Sequence, residues 1–233
     1  MQTLSIIIPV YNEERLIQNV IKMVAKAPTP GYKKEIIVVD DGSTDKTAKV
    51  IKSVSKKYKL LTIFKKRNEG KGAALKAGFK KATGDVLMVQ DADEEYSISD
   101  YPALLRPFTG KKTRVVFGSR NKKRENFHNR YSYFTFFVGG LILTWFINLL
   151  YSLNLTDQPT GYKLFSASLK NLLLKPKQNR FSYEVAVTAL LARENLEIVE
   201  VPIHYKPRTF GEGKKINLLD FFKSIIVAVK YRL

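Results

Sequence analysis

Two aspartates one residue apart, Asp91-Ala92-Asp93, close the apolar run DVLMV and are well placed to do chemistry. At i, i+2 on an extended strand end, both carboxylates project to one side. Clustered carboxylates are costly unless a positive charge joins them. The chain has no cysteine and only two histidines, His128 and His204, so the fitting partner is a hard divalent cation held by oxygen. Mg2+ and Mn2+ suit carboxylates, and Mg2+ commonly bridges a carboxylate to substrate phosphates. A D-x-D triplet is also common by chance and often simply solvated.

Further acids stand at the ends of other apolar runs. LSIIIPV leads into Tyr11-Asn12-Glu13, and EIIVV leads into Asp40-Asp41. Positive charge is available from Arg120 at the end of TRVVFGSR, from Arg130, and from Arg208, Lys214 and Lys215 in RTFGEGKK. Arginine holds phosphate through paired hydrogen bonds, and lysine acts as a point charge. A metal-bound nucleoside diphosphate with a second phosphate would use such a set. The pairs at Lys33, Lys56, Lys65, Lys80 and Lys122 read as solvated surface. NEGKGAAL lacks the spacing of a Walker A loop, which leaves Lys71 in a turn near the nucleotide.

The positioning elements follow from hydropathy. Strands are expected at LSIIIPV, EIIVVDD, LLTIFK, DVLMVQDAD and TRVVFGSR. Helices alternate with them: one starting at Asn12-Glu13-Glu14 with the stripe Ile17, Val20, Ile21, Val24, one carrying Val50, Ile51 and Val54, and one entered through the glycine-rich turn. Continuous apolar strands alternating with helices argue a parallel sheet covered on both faces. Ligands of such sheets sit beyond the carboxyl ends of the strands, where these acids lie. Beyond residue 157 come a short strand in DQPTGYKLFS, a helix in RFSYEVAVTALLAREN with Glu184 near its start, a strand in LEIVEVPIHY, and a terminal helix.

The 233 residues suit one large domain, or one domain with a tail. Forty Lys and Arg against 21 Asp and Glu give a formal charge of +19. That surplus predicts a polyanionic partner: nucleic acid, anionic lipid or phosphorylated substrate. No helix-turn-helix, RNP or zinc pattern appears, and a carboxylate cluster without metal repels phosphate, so no nucleic-acid partner is expected. Disulfides and thiolate metal sites are excluded, and no signal peptide is visible.

SIIIPVYNEE, EIIVVDDGSTD, NEGKGAAL, DVLMVQDAD and VVFGSR occur in the order and spacing of family 2 glycosyltransferases. DQPTGYKLF and RTFGEGKKI resemble the branch that loads sugars onto polyprenyl phosphates such as dolichyl or undecaprenyl phosphate. The resemblance covers nearly the whole chain. It implies an α/β GT-A fold: a Rossmann-like, mostly parallel central sheet with helices on both faces, plus amphipathic helices at a membrane interface. It implies that Pro9, Tyr11, Glu13, Val39, Asp40 and Asp41 cradle base and ribose, while Lys71, Asp91, Ala92 and Asp93 reach the diphosphate sugar. Asp91, Asp93 and Glu95 would hold Mg2+ or Mn2+. In relatives the position of Glu95 is often Gln, so an anionic ligand would here replace a neutral one. Arg120, Arg130, Arg208 and Lys214 would meet phosphate of donor or acceptor, and Asp93, Arg120, Arg208 and Lys214 would carry catalysis. A lipid phosphate is already ionised and needs no general base, and inversion at the anomeric carbon is expected. The donor, GDP-mannose or UDP-glucose, stays open. A saccharide or protein acceptor is the alternative.

FTFFVGGLILTWFINLLYSL, Phe134 to Leu153, has no charge and the length of a membrane span. A single crossing would put Asp91, Asp93 and Arg120 on one side of the bilayer and Arg208 and Lys214 on the other. A monotopic helix or hairpin near 131–156 is therefore preferred, with a buried core helix as the alternative. Gly140, Thr144, Asn148 and Ser152 would pack on the protein, and Phe137, Leu141, Trp145 and Leu149 would face lipid or core. Residues 1–215 form the expected catalytic domain. Residues 216–233 form a membrane-surface helix with Leu218, Phe222, Ile225 and Val229 on its apolar face. The expected location is the cytoplasmic face of a membrane, on an anionic surface.

Overall fold

The five apolar runs all become strands, because residues apolar on both faces are stable only inside a covered sheet. The structure is a computed structural model and describes residues 1–110, 112–122, 134–208 and 218–233. The elements are β1 Gln2–Val10, α1 Ile17–Lys26, β2 Tyr32–Asp40, α2 Thr47–Tyr58, β3 Leu61–Phe64, α3 Lys71–Lys81, β4 Val86–Val89, α4 Tyr101–Leu105, β5 Val115–Ser119, α5 Phe134–Tyr151, β6 Lys163–Ser166, α6 Lys170–Leu174, α7 Ser182–Arg193, β7 Val199–Pro202 and α8 Leu218–Arg232.

The sheet order is β3-β2-β1-β4-β6-β5-β7. All neighbouring pairs are parallel except those made by β6, which runs against both β4 and β5. The sheet is thus mostly parallel, as expected, and the reversal at β6 has a positional consequence. Lys163 at the start of β6 pairs with Val89 at the end of β4, so the segment entering β6 lies at the carboxyl edge of the sheet. At β7, Pro202 pairs with Ser119, so the chain leaving β7 arrives at the same edge.

One core layer joins Leu4, Ile6 and Ile8 of β1 to α1, α2 and α4; the opposite layer joins Ile7, Ile37 and Val39 to α3, α6 and α7. A third cluster lies outside α7, where Leu143, Ile147 and Tyr151 of α5 meet Ala186 and Ala189 of α7 and Val227 and Ala228 of α8. Thr144 is buried, and Asn148 holds Leu155 through both its amide groups, so this side of α5 faces the protein. Ser152 is instead exposed, with a left-handed backbone that ends the helix. Leu141, Trp145 and Leu149 form the outer face.

Two expectations for the helices change. α1 begins at Ile17, because Asn12, Glu13 and Glu14 are tied to the loop after β2: their backbone N–H groups donate to Ser43 Oγ, Thr47 Oγ1 and Asp45 Oδ2. In α8, Ile225 packs inward with Phe221, while Leu219, Phe222, Ile226 and Val229 point out. The helix therefore has two apolar sides, and among the described residues one of them is covered. Among the described residues, no helix is long and apolar enough to cross a membrane.

Candidate active site

At the carboxyl edge every strand-end acid has a cation or a backbone donor against it. Asp91 and Asp93 lie beyond the end of β4, in a bend rather than on the strand, and close enough that the charge of Asp91 acts on Asp93. Lys71, at the first turn of α3, places Nζ 2.7 Å from Asp91 Oδ1. Arg208, beyond β7, places Nη2 2.9 Å from Asp93 Oδ2. The same guanidinium reaches Glu13 at 3.4 Å and Glu95 at 3.5 Å. Glu95 also accepts from Arg208 N at 2.9 Å and from the Tyr205 hydroxyl at 3.0 Å.

The bend is held from beneath. Gln90 donates to Asp91 O and accepts from the buried Tyr101 hydroxyl. Gly161 N donates to the Tyr96 hydroxyl at 2.8 Å. A Cβ at Gly161 would run into Asp91 Oδ2 and the Tyr96 ring, so only glycine permits this approach.

Burial and the charges of Asp91 and Glu95 push the Asp93 carboxyl up to about 7, against the pull of Arg208. Burial would lower the ammonium of Lys71, but Asp91 and Glu184 outweigh it and hold the group well above the usual lysine range. Arg208 likewise stays charged against its burial because of Asp93, Glu13 and Glu95.

The second nucleotide-side pair, Asp40 and Asp41, is buried beside Pro9 and Val39, which pair across β1 and β2. Asp40 Oδ1 accepts from Ser43 N and Oγ. Asp41 accepts from Lys65 Nζ at 2.6 Å and from Gly70 N at 2.6 Å, which fixes the glycine-rich turn that presents Lys71. Lys65 is therefore a half-buried ion-pair partner, a correction to its reading as a solvated lysine: the acid above it is buried and needs a charge. Tyr11 is half-buried and Ala92 is buried at the edge.

Arg120 is engaged within the protein. Its Nε and Nη2 make a fork to Asp157 at 2.8 and 2.7 Å, and the guanidinium lies over Tyr205 at 5.0 Å. Its burial is outweighed by Asp157, which holds it charged. Lys214 and Arg130 lie outside the described residues. Sequence reasoning left four partners without a role: Asp157, Lys163, Glu184 and Tyr205. Glu184 Oε1 stands 3.4 Å from Lys71 and 3.7 Å from Lys163, is buried, and has no hydrogen-bond partner among the described residues. The available signal was a charge inside an apolar setting, as with Lys163 in GYKLF, which sits at 2 % exposure; burial lowers its pKa.

Among the described residues no three His, Cys, Asp or Glu side chains are arranged to hold a metal. The donor set still fits a hard cation: Asp93 is a buried carboxyl crowded by two others, and a carboxylate pair completed by substrate phosphate is how Mg2+ is commonly held.

The family model described as Glycosyl transferase family 2 matches residues 5–171. The chain belongs to that family. Curated relatives of this transferase act on dolichyl phosphate by name. It is 31% identical over 236 residues to the UDP-N-acetylglucosamine–dolichyl-phosphate N-acetylglucosaminyltransferase of Methanococcus voltae, covering 94% of this chain and 91% of that one. It is 30% identical to the dolichol-phosphate mannosyltransferase of Pyrococcus furiosus, covering 90% of this chain and 58% of the relative. The human dolichyl-phosphate beta-glucosyltransferase is 27% identical, with 91% and 69% covered. Among solved structures, the transferase has the fold of glucosyl-3-phosphoglycerate synthase from Mycobacterium tuberculosis in complex with Mn2+, UDP and phosphoglyceric acid. The TM-score is 0.72 at 19% identity, covering 99% of this chain and 78% of that one.

Proposed function

We propose that this family 2 glycosyltransferase moves one hexose from a nucleotide sugar, GDP-mannose or UDP-glucose, to a polyprenyl phosphate, dolichyl or undecaprenyl, with inversion at the anomeric carbon. The observation that carries the reading is the placement of Arg208 across Glu13, Asp93 and Glu95. A guanidinium held by three carboxylates at the sheet edge is a phosphate ligand kept in place until phosphate and metal arrive. Base and ribose rest on the β1–β2 edge formed by Pro9, Tyr11, Val39 and Asp40. Asp91 and Asp93, with Glu95 beside them, would hold Mg2+ or Mn2+, which when bound supplies positive charge against the departing diphosphate. Lys71 adds a fixed charge on the same side and, with Glu184 Oε1, orients hexose hydroxyls.

The acceptor phosphate carries its own negative charge, so attack needs positioning and electrostatic stabilisation and no proton removal. Arg208 and Lys214 bring that phosphate in. Arg120, locked by Asp157 and stacked on Tyr205, shapes the wall beside it. The lipid tail would leave along the outer face of α5, where Leu141, Trp145 and Leu149 are exposed. That face, with the outer side of α8, would seat the enzyme peripherally on an anionic membrane at its cytoplasmic face.

The buried Oε1 of Glu184 favours a second reading, a family 2 enzyme with a hydroxyl acceptor and Glu184 as base. One experiment separates them. Incubation of the enzyme and Mg2+ with radiolabelled GDP-mannose or UDP-glucose and polyprenyl phosphate should carry label into organic solvent, and mass spectrometry of that lipid should show one added hexose. Label that stays in water with the lipid present, and moves onto a soluble saccharide, would support the second reading.

A further inference from the structure

A polar cleft lies away from the sheet edge, where three helices end together. The cleft has a volume of about 470 Å³ and is lined by Tyr151 and Ser152 of the α5 end, Arg193 and Asn195 of the α7 end, and Arg232 of α8. The junction is fixed by Tyr151, whose hydroxyl donates to Ala228 O at 2.7 Å, and by Arg193 Nη1, which donates to Tyr231 O at 3.0 Å.

Basic residues in a last helical turn often serve only to offset the helix dipole. The ends of α5 and α7 are already closed by backbone, and at the α8 end one Arg193 donor is taken by Tyr231 O. Ser152 and Asn195 adopt left-handed conformations, and the following N–H groups, of Leu153 and Leu196, return to Asn148 O and Leu191 O. The acid next after α7, Glu194, has Lys175 as its ion-pair partner at 4.0 Å. Two guanidiniums therefore face one cleft with most of their donors uncommitted to helix capping. Burial raises the Tyr151 hydroxyl to about 12, against the pull of Arg193 and Arg232.

The rims are apolar. Leu149 precedes Ser152 by one turn at 67% exposure, and Val229 precedes Arg232 by one turn at 39%. These residues continue the outer faces formed by Trp145 on α5 and by Phe222 and Ile226 on α8. A cationic cleft at the end of two exposed apolar stripes matches an amphiphile with a phosphate head. A free phosphate would have no use for the stripes.

We propose that this cleft receives the phosphate of an anionic membrane lipid, whose acyl chains lie along the outer faces of α5 and α8. The proposal rests on the reading that those faces meet a bilayer. The site is separate from the reacting centre: Arg193 lies about 14 Å along α7 from Glu184.

The test is flotation of the full chain with vesicles of phosphatidylcholine alone or with phosphatidic acid added. Arg193→Gln/Arg232→Gln should lower partition onto phosphatidic-acid vesicles roughly tenfold or more, with little change on neutral ones. Lys49→Gln/Lys56→Gln, an equal charge change on α2 across the sheet, should have a much smaller effect. Trp145→Ser/Phe222→Ser should weaken binding to both vesicles. Arg232→Gln alone, at the exposed last turn, should show about half of the effect on a logarithmic scale and guards against misfolding of the pair. An arginine pair that binds like the wild type, or loses no more than the lysine pair, overturns the cleft and leaves the membrane reading standing. A wild-type chain that ignores both vesicles overturns both. Inorganic phosphate that saturates the cleft without vesicles, while the arginine pair floats normally, would make it a free-phosphate site and also overturn the proposal.

Discussion

Arg208 Nη2 and Asp93 Oδ2 lie 2.9 Å apart although 115 residues separate them in the chain. The contact joins the segment leaving β7 to the bend after β4, and with it the phosphate-binding and metal-binding halves of the proposed reaction. Removing the guanidinium takes away the cation that Glu13, Asp93 and Glu95 share. Arg208→Gln should therefore lower kcat/KM for transfer to polyprenyl phosphate by about 10²–10³, the usual cost of one transition-state charge partner. The loss should fall mainly on kcat, with higher Mg2+ restoring only part of it. Steady-state rates across a Mg2+ titration check this. A change confined to KM for the lipid would mean that Arg208 only binds the acceptor.

Arg120 and Asp157 make a buried fork whose partners are also tied to Pro159 O and Tyr205. Breaking a buried pair by removing one member costs about 3–5 kcal/mol, because the remaining charge is left uncompensated. Asp157→Asn should lower stability by that amount in urea unfolding. Arg120→Met/Asp157→Leu should recover much of the stability while remaining slow as an enzyme. If the single variant is as stable as the wild type, the pair carries no structural weight, and Arg120 is instead available to substrate phosphate.

The strands and the acidic edge were legible because an apolar run and the residue that ends it are local features. DVLMV could hardly be anything but a buried strand, and Asp91 had to follow it to the edge. What the chain does with those acids was not local. Asp91 finds Lys71 and Asp93 finds Arg208, and such pairings depend on β6 running backwards and β7 returning to the site. Lys65 looked like one of many surface lysines until Asp41 was found buried above it. The start of α1 slipped to Ile17 because Asn12 and Glu14, read as a first helical turn, instead knit their loop to residues 43–47. The apolar pattern of α8 held two faces at once, and a single stripe drawn through Phe222 and Ile225 mixed them.

Gly161 is set against Asp91 and Tyr96 so closely that a methyl group has no room. Gly161→Ala should displace the Asp91 carboxylate from Lys71 and cost about 1–3 kcal/mol of stability, the typical range for overpacking. Catalysis should suffer more than stability, because a shift of about 1 Å at a positioned group can cost roughly 10²-fold. Parallel measurement of melting and of kcat separates the two. Equal activity would show that the bend moves without consequence.

Glu35, on β2 far from the site edge, gives the chain a pH-dependent tether. Its carboxylate accepts from Ser5 Oγ, from Thr83 N at 2.9 Å and from Thr83 Oγ1 at 2.7 Å, which ties β1 and β2 to the turn before β4. Burial alone would raise its pKa, but these hydrogen bonds outweigh it and hold the carboxyl below its ordinary range. A depressed pKa in the folded state means that the stabilisation is complete above the unfolded value, about 4.3, and is lost as the pH falls through the folded value. Glu35→Gln replaces an acceptor with an amide that must turn a donor toward Ser5 or Thr83. It should cost about 1–2 kcal/mol at neutral pH. The gap from the wild type should stay level down to the ordinary glutamate range and then close as acid protonates Glu35 in the parent. Urea unfolding of both proteins at a series of pH values reads the gap directly. A difference that persists unchanged into strong acid would mean that Glu35 acts through shape and not through its charge.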